Sequence, residues 1–165
     1  MTERVTKQEY LELVQKSRKP NPQARTSSGW WTDGTRSYYM RSYWESNYAY
    51  YLNFLIKHGK IVSWTYEEDV FWFMSIKRGV RSYKPDFKVH YPDGRTEYHE
   101  VKGYYDKRSK TKMARMKKYY PLVVVQLIDR KKYKAITKIG GLIEGWGTPF
   151  LTKEEKETLF TKENK

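Results

Sequence analysis

"YKPDFKVHYPDGRTEYHEVKG", residues 83–103, is a strand-like run that breaks at Pro92-Asp93-Gly94 and resumes. Two such runs around a Pro-Asp-Gly break predict a β-hairpin. With the turn centred on Asp93, residues equidistant from it face each other across the strands. Asp86 is seven residues before that centre and Glu100 seven after, so the two acids are cross-strand neighbours to within a one-residue bulge. Lys102 lies two residues beyond Glu100 and points to the same face. Phe87, Val89 and Val101 take the opposite face and can pack into a core. One side of the hairpin is thus apolar, and the other collects two carboxylates and an ammonium.

A solvated sheet face with a cross-strand ion pair would explain the charges, and such pairs contribute only about 0–1 kcal/mol. Facing carboxylates, however, repel one another. A divalent cation relieves that repulsion. The chain has no cysteine, and its three histidines, His58, His90 and His99, are not grouped as ligands. An oxygen-only donor set suits Mg²⁺ or Mn²⁺. A lysine beside such an ion can position water or neutralise charge on a phosphate, which are the parts needed for metal-assisted phosphodiester hydrolysis.

Outward from the hairpin, residues 39–58 show helical spacing: Trp44, Tyr48, Tyr51, Leu52, Leu55 and Ile56 recur every three or four. Gly59 suits a left-handed C-terminal cap. Glu45 borders the apolar stripe. Periodicity alone favours a boundary glutamate whose carboxylate reaches solvent; a third acid aimed at the hairpin would instead fill out a metal site. "KIVSWTY" and "DVFWFMSI" predict strands joined to the hairpin by the basic connection "KRGVRS". Residues 106–119 predict a helix with Met113, Met116 and Tyr120 as a core stripe, and "LVVVQLI" predicts a buried strand. Near the N-terminus, Thr6-Lys7-Gln8-Glu9 forms a capping box for a short helix to Ser17, and residues 17–29 form a polar linker. The expected division is an N-terminal arm and linker over 1–30, one mixed α/β domain over 31–150 and a charged tail over 151–165. The glycines after residue 138 lack the Gly-Lys-Ser/Thr ending of a phosphate loop and mark turns.

Charge points to the partner. The 165 residues include 33 Lys and Arg against 19 Asp and Glu, a net +14. That excess suits a polyanion, most often nucleic acid, although a merely basic soluble protein shares it. Lys107, Arg108, Lys110, Lys112, Arg115, Lys117 and Lys118 follow the hairpin against the lone acid Asp106. Arg108, Lys112 and Arg115 share a helix face and can track a phosphate backbone; a solvated basic flank is the alternative. Arg78, Arg81 and Lys84 precede Asp86 and extend the same surface. No apolar run approaches the ~20 residues that span a bilayer, so no membrane is expected. The N-terminus has no apolar core of a secretory signal, and the absence of cysteine fits a reducing cytoplasm.

Pro85-Asp86-Phe87, with Glu100-Val101-Lys102-Gly103 and an acid on the preceding helix, resembles the signature of the PD-(D/E)xK nuclease superfamily. "RSYWESNYAYYL", "SYKPDF" and "HEVKG" are most similar to the phage endonuclease I family of Holliday-junction-resolving enzymes, a resemblance that runs over residues 41–128. It implies a restriction-endonuclease-like core with a mixed central sheet flanked by helices, and use of Mg²⁺ or Mn²⁺. It makes Asp86 and Glu100 metal ligands, Glu45 a further ligand or orienting acid, and Lys102 the catalytic lysine, with the Val101 carbonyl as another ligand. It implies branched DNA as substrate and, for a phage-encoded chain, the host cytoplasm. Two coordinated cuts from a chain carrying one copy of the motif imply a homodimer. A nicking, repair or restriction-type endonuclease on linear duplex and a catalytically inactive DNA-binding module remain alternatives. An RNA-binding protein would need a ribonucleoprotein sheet motif or Gly-x-x-Gly clamp that the chain lacks.

Overall fold

The computed structural model describes residues 28–162. In chain order they form β1 (Gly29–Thr32), β2 (Ser37–Met40), α1 (Tyr43–Lys57), β3 (Ser63–Tyr66), β4 (Phe71–Trp72), β5 (Ser82–Tyr83), β6 (Phe87–His90), β7 (Thr96–Val101), α2 (Lys107–Tyr119), β8 (Val124–Ile128), α3 (Arg130–Thr137), a 3₁₀ turn (Gly140–Leu142) and α4 (Lys153–Lys162). They divide into two compact units, one of the chain up to Tyr51 and from Ile136 onward, the other Leu52–Ala135. The helix expected before Ser17 lies outside the described residues.

The Leu52–Ala135 unit is built on a four-stranded sheet in the order β3-β6-β7-β8. The β3–β6 and β6–β7 pairs are antiparallel, whereas β7–β8 is parallel, with α2 as the crossover that a parallel pair requires. This is a mixed α/β sheet flanked by helices. Its turn follows from the sequence: Gly94 takes φ +85°, and Tyr91 N–H donates to Arg95 C=O at 2.9 Å, closing a three-residue loop. One sheet face buries Trp64, Tyr66, Phe87, Val89 and Val101, with Phe87 tilted against both aromatic rings at 5.5 and 5.3 Å. Trp64 Nε1 donates to Asn53 Oδ1 of α1 at 2.9 Å. The other face is covered by the separate β4–β5 hairpin and by α2, through a cluster of Phe73, Tyr83 and Met116 joined by Met113 and Tyr120.

Several expected boundaries move. "KIVSWTY" becomes a strand only from Ser63, because Gly59 at φ +65° ends α1: Gly59 and Lys60 N–H groups bond Ile56 and Leu55 carbonyls at 2.9 Å each. "DVFWFMSI" contributes only Phe71–Trp72, which pair with Ser82–Tyr83 outside the main sheet. "LVVVQLI" is not a buried strand; β8 is the sheet edge, and Leu122 is 94% exposed. The helix expected from residue 39 begins at Tyr43, since Tyr39 and Met40 pair in β2. Its first half is buried around most of its circumference, from Glu45 through Tyr50, so it has no single apolar stripe there.

In the unit that holds both chain ends, β1 and β2 form a hairpin, so Gly29 and Trp30 are strand and not linker. Buried Trp31 stacks on Tyr38 and leans on Tyr50. Leu151 N–H donates to Trp30 C=O at 2.9 Å, and a Cβ at Gly29 would lie 2.6 Å from Phe150. The charged tail carries α4, opened by a Thr152–Glu155 capping box. No helix among the described residues is long and apolar enough to cross a membrane.

Trp72 ends β4 and Phe73 follows it, the first half exposed and the second buried. We expect Phe73→Ala to cost about 3–5 kcal/mol and Trp72→Ala about 1 kcal/mol or less in urea unfolding. Equal costs would contradict this placement.

Candidate active site

The strand registers Tyr66↔Phe87 and Phe87↔His99, extended by one residue, put Glu67, Asp86 and Glu100 in a row across β3, β6 and β7. Glu67 N–H donates to Asp86 C=O at 2.8 Å. The Asp86 side chain crosses to the neighbouring strand, where Oδ2 accepts the Val101 N–H at 2.8 Å. Asp86 and Glu100 are therefore brought together in the facing register that the sequence predicts.

The two acids differ in exposure: Asp86 is part-buried and Glu100 is buried. The β4–β5 hairpin and α2 roof the sheet face that carries them. A buried carboxylate needs a donor, and Tyr83 supplies one: its hydroxyl reaches Glu100 Oε2 at 2.9 Å. Burial, then the charge of Glu100, its hydrogen bond and the charge of Asp86 push the Tyr83 hydroxyl far above the ordinary tyrosine range, so it stays a proton donor. Burial and Glu100 also raise the Tyr105 hydroxyl. Two residues along the strands, the same face carries a solvated ion-pair cluster. There Lys88 Nζ meets Asp69 at 2.9 Å and Glu68 at 3.1 Å, and the Tyr98 hydroxyl donates to Asp69 at 2.6 Å. The ion-pair explanation thus fits Lys88, whereas Asp86 and Glu100 face each other.

Lys102 N–H donates to Ile128 C=O at 3.0 Å, fixing the end of β7 against β8. Asp106 caps α2 by accepting the N–H and hydroxyl of Ser109 at 2.7 and 2.8 Å. Those bonds, then Lys102 and Lys112, hold its carboxyl below the usual range. Lys112 Nζ lies 5.7 Å from the Tyr83 ring centre. Lys107, Arg108 and Lys110 are exposed, as is Arg81.

Two of the expected DNA-contacting cations are engaged within the protein. Lys84 Nζ pairs with Glu67 at 2.8 Å, and the Arg115 guanidinium donates to Val80 C=O. Glu45 belongs to the unit that holds both chain ends. It is buried instead of reaching solvent, and it accepts the Ser42 hydroxyl at 2.7 Å and the Arg41 N–H at 3.1 Å. Ser42-Tyr43-Trp44-Glu45 has the capping-box pattern, and the Ser42 hydroxyl accepts the Glu45 N–H at 3.2 Å.

Tyr83 gives no signal of its role until the hairpin roof is known. Glu67 adopts φ +47°, a left-handed conformation uncommon for glutamate, directly beside Asp86. Glu97 and His99 are buried on the core face, where period-two alternation with Phe87 and Val89 places them. There Glu97 accepts from Tyr91 at 3.1 Å and Arg95 at 2.6 Å, and burial lowers the His99 imidazole's affinity for a proton.

Among the described residues no three His, Cys, Asp or Glu side chains gather as a ready cation cage. The hairpin offers a pair of carboxylates and an adjacent backbone carbonyl, an oxygen-only donor set that fits a hard divalent cation. No protein-family model matches the chain, nor does any curated protein or solved structure.

Tyr83→Phe removes the hydroxyl and leaves the ring. We expect a loss of about 1.5–3 kcal/mol in denaturant unfolding, the scale of a buried bond to a charged group. A loss below about 0.5 kcal/mol would mean that Glu100 does not depend on this donor.

Proposed function

We propose that this chain is a metal-dependent DNA endonuclease acting on branched DNA, in the manner of a junction-resolving enzyme. The observation that supports it most is the facing pair Asp86 and Glu100, tied together by the Asp86–Val101 bond, with Lys102 two residues beyond Glu100. Facing like charges repel, so mutual attraction does not account for the pair.

In this reading Asp86, Glu100 and the Val101 carbonyl hold Mg²⁺ or Mn²⁺, which supplies Lewis acidity toward a phosphate. Lys102 faces the scissile phosphate, orients the attacking water and offsets charge that develops on the phosphate oxygens. Tyr83 positions Glu100 without entering the reaction. Lys107, Arg108 and Lys110 hold the phosphate backbone, and the +14 net charge draws the polyanion in. Two cuts on opposed strands need two sites, so the working form is a homodimer. Glu45 has two candidate roles, helix cap and additional acid. Glutamine can still cap, so Glu45→Gln separates them.

The test compares a four-way junction, a nicked duplex and a linear duplex of one sequence, with Mg²⁺ and with EDTA. We expect metal-dependent cleavage with the junction cut fastest, and none by Asp86→Ala. Lys102→Ala should lower turnover by about 100-fold or more while DNA affinity changes little. Glu45→Gln should cripple turnover at unchanged stability if Glu45 serves as an acid. Cleavage by Asp86→Ala at the normal rate would remove the site; equal rates on junction and linear duplex would leave an endonuclease without branch preference.

A further inference from the structure

The β4–β5 hairpin presents an apolar stripe to solvent. Val70, Trp72 and Met74, two residues apart, are 42, 53 and 89% exposed. The intervening Phe71 packs on Tyr98 and Tyr120 with ring centres 5.0 Å apart in each case, and Phe73 lies in the buried cluster with Tyr83 and Met116. Around this short strand Phe71 and Phe73 are packed, whereas Val70, Trp72 and Met74 stand exposed among the described residues.

The exposed face stands on a fixed base. Tyr120 donates its hydroxyl to Trp72 C=O at 2.7 Å, Phe73 N–H bonds Arg81 C=O at 2.8 Å, and Ser75 bonds the Tyr119 hydroxyl at 3.0 Å. Arg115 holds the Val80 carbonyl on the returning arm. The hairpin also runs straight into the site, since β5 ends at Tyr83, the donor to Glu100, three residues before Asp86. No acid occurs from residue 70 to residue 85, and Lys77, Arg78 and Arg81 are all exposed there.

We propose that this hairpin is a nucleic-acid-engaging surface: Trp72 and Met74 receive unstacked bases while Lys77, Arg78 and Arg81 hold the adjoining phosphates. The inference rests on the endonuclease reading and supplies it with a source of substrate choice. Single exposed apolar residues are ordinary, but three within residues 70–74 beside three exposed cations mark a contact site. Those cations decide the occupant. A second copy docking here about a two-fold axis would bring its own three cations against these, whereas a nucleic acid meets them with phosphates. An aromatic face stacks on any base that has left the helix, and bases within continuous duplex are closed to it. The hairpin thus favours DNA with open or strained stacking over linear duplex.

The test measures binding by fluorescence anisotropy in Ca²⁺, with a labelled single strand, a four-way junction and a linear duplex. We expect Trp72→Ala/Met74→Ala to lose about tenfold or more affinity for the single strand and the junction, and less than about twofold for duplex. Trp72→Phe should retain most of it. No loss, or the same loss on all three probes, overturns the proposal. So does a change of sedimentation from dimer to monomer, which would make the stripe a protein interface, or binding of the intact protein to anionic vesicles that the double variant abolishes while DNA binding persists. Asp86-dependent cleavage is followed in parallel. If it persists while the double variant binds like wild type, only the hairpin inference falls. If the wild type binds none of the DNAs, the endonuclease reading falls with it.

Discussion

The bond from the Tyr83 hydroxyl to Glu100 joins the two layers around the candidate site. A carboxylate enclosed under a hairpin and a helix cannot be left without a donor, and the cost of doing so exceeds the gain from any one apolar contact nearby. Tyr83 meets that demand because it belongs simultaneously to β5, to the Phe73–Met116 cluster and to the acid row. Sheet, roof and acids are one construction: without the roof Glu100 would be an ordinary surface residue, and without Tyr83 the roof would bury it at a loss.

The acid row concentrates features that stability alone does not favour. Asp86 and Glu100 face each other, and Glu67 beside them holds a left-handed backbone. Strained conformations and facing like charges persist where surrounding structure over-determines them, and such places are often functional. Here the over-determination is visible in the Glu67–Asp86 and Asp86–Val101 bonds and in the ladder's last rung from Lys102 to Ile128. The proposed phosphodiester hydrolysis would use this constellation, with Lys102 two residues beyond Glu100 and exposed cations on α2. Under the proposed function, the exposed residues of the β4–β5 hairpin would give one surface on which substrates with open bases differ from continuous duplex.

The central hairpin was legible because its turn chemistry fixes the register. Once Gly94 adopts a positive φ after Pro92-Asp93, every cross-strand pair follows, Asp86 and Glu100 included. The helix over 107–119 was legible for a similar local reason, since Asp106 is its cap. What failed depends on tertiary neighbours. "LVVVQLI" has the composition of a buried strand, but burial requires a partner on each side and β8 is last in the sheet. "DVFWFMSI" is apolar on both faces, and nothing local says that one of them stays uncovered. Local sequence presents Lys84 and Arg115 as substrate cations, because Glu67 and the Val80 carbonyl that engage them are distant in sequence. Glu45 is a different case: its capping box with Ser42 was present locally, and the structure engages it there.

The central claim is that Asp86 and Glu100 form a cation site. Thermal unfolding with and without Mg²⁺ tests it most directly, because a ligand that binds only the folded state must raise the melting temperature as its concentration passes the dissociation constant. The account requires a saturable rise for the wild-type protein that is absent from both Asp86→Asn and Glu100→Gln, with circular dichroism establishing that each variant is folded. A wild-type melting temperature indifferent to Mg²⁺ and Mn²⁺, or one that rises equally in the two variants, would contradict it.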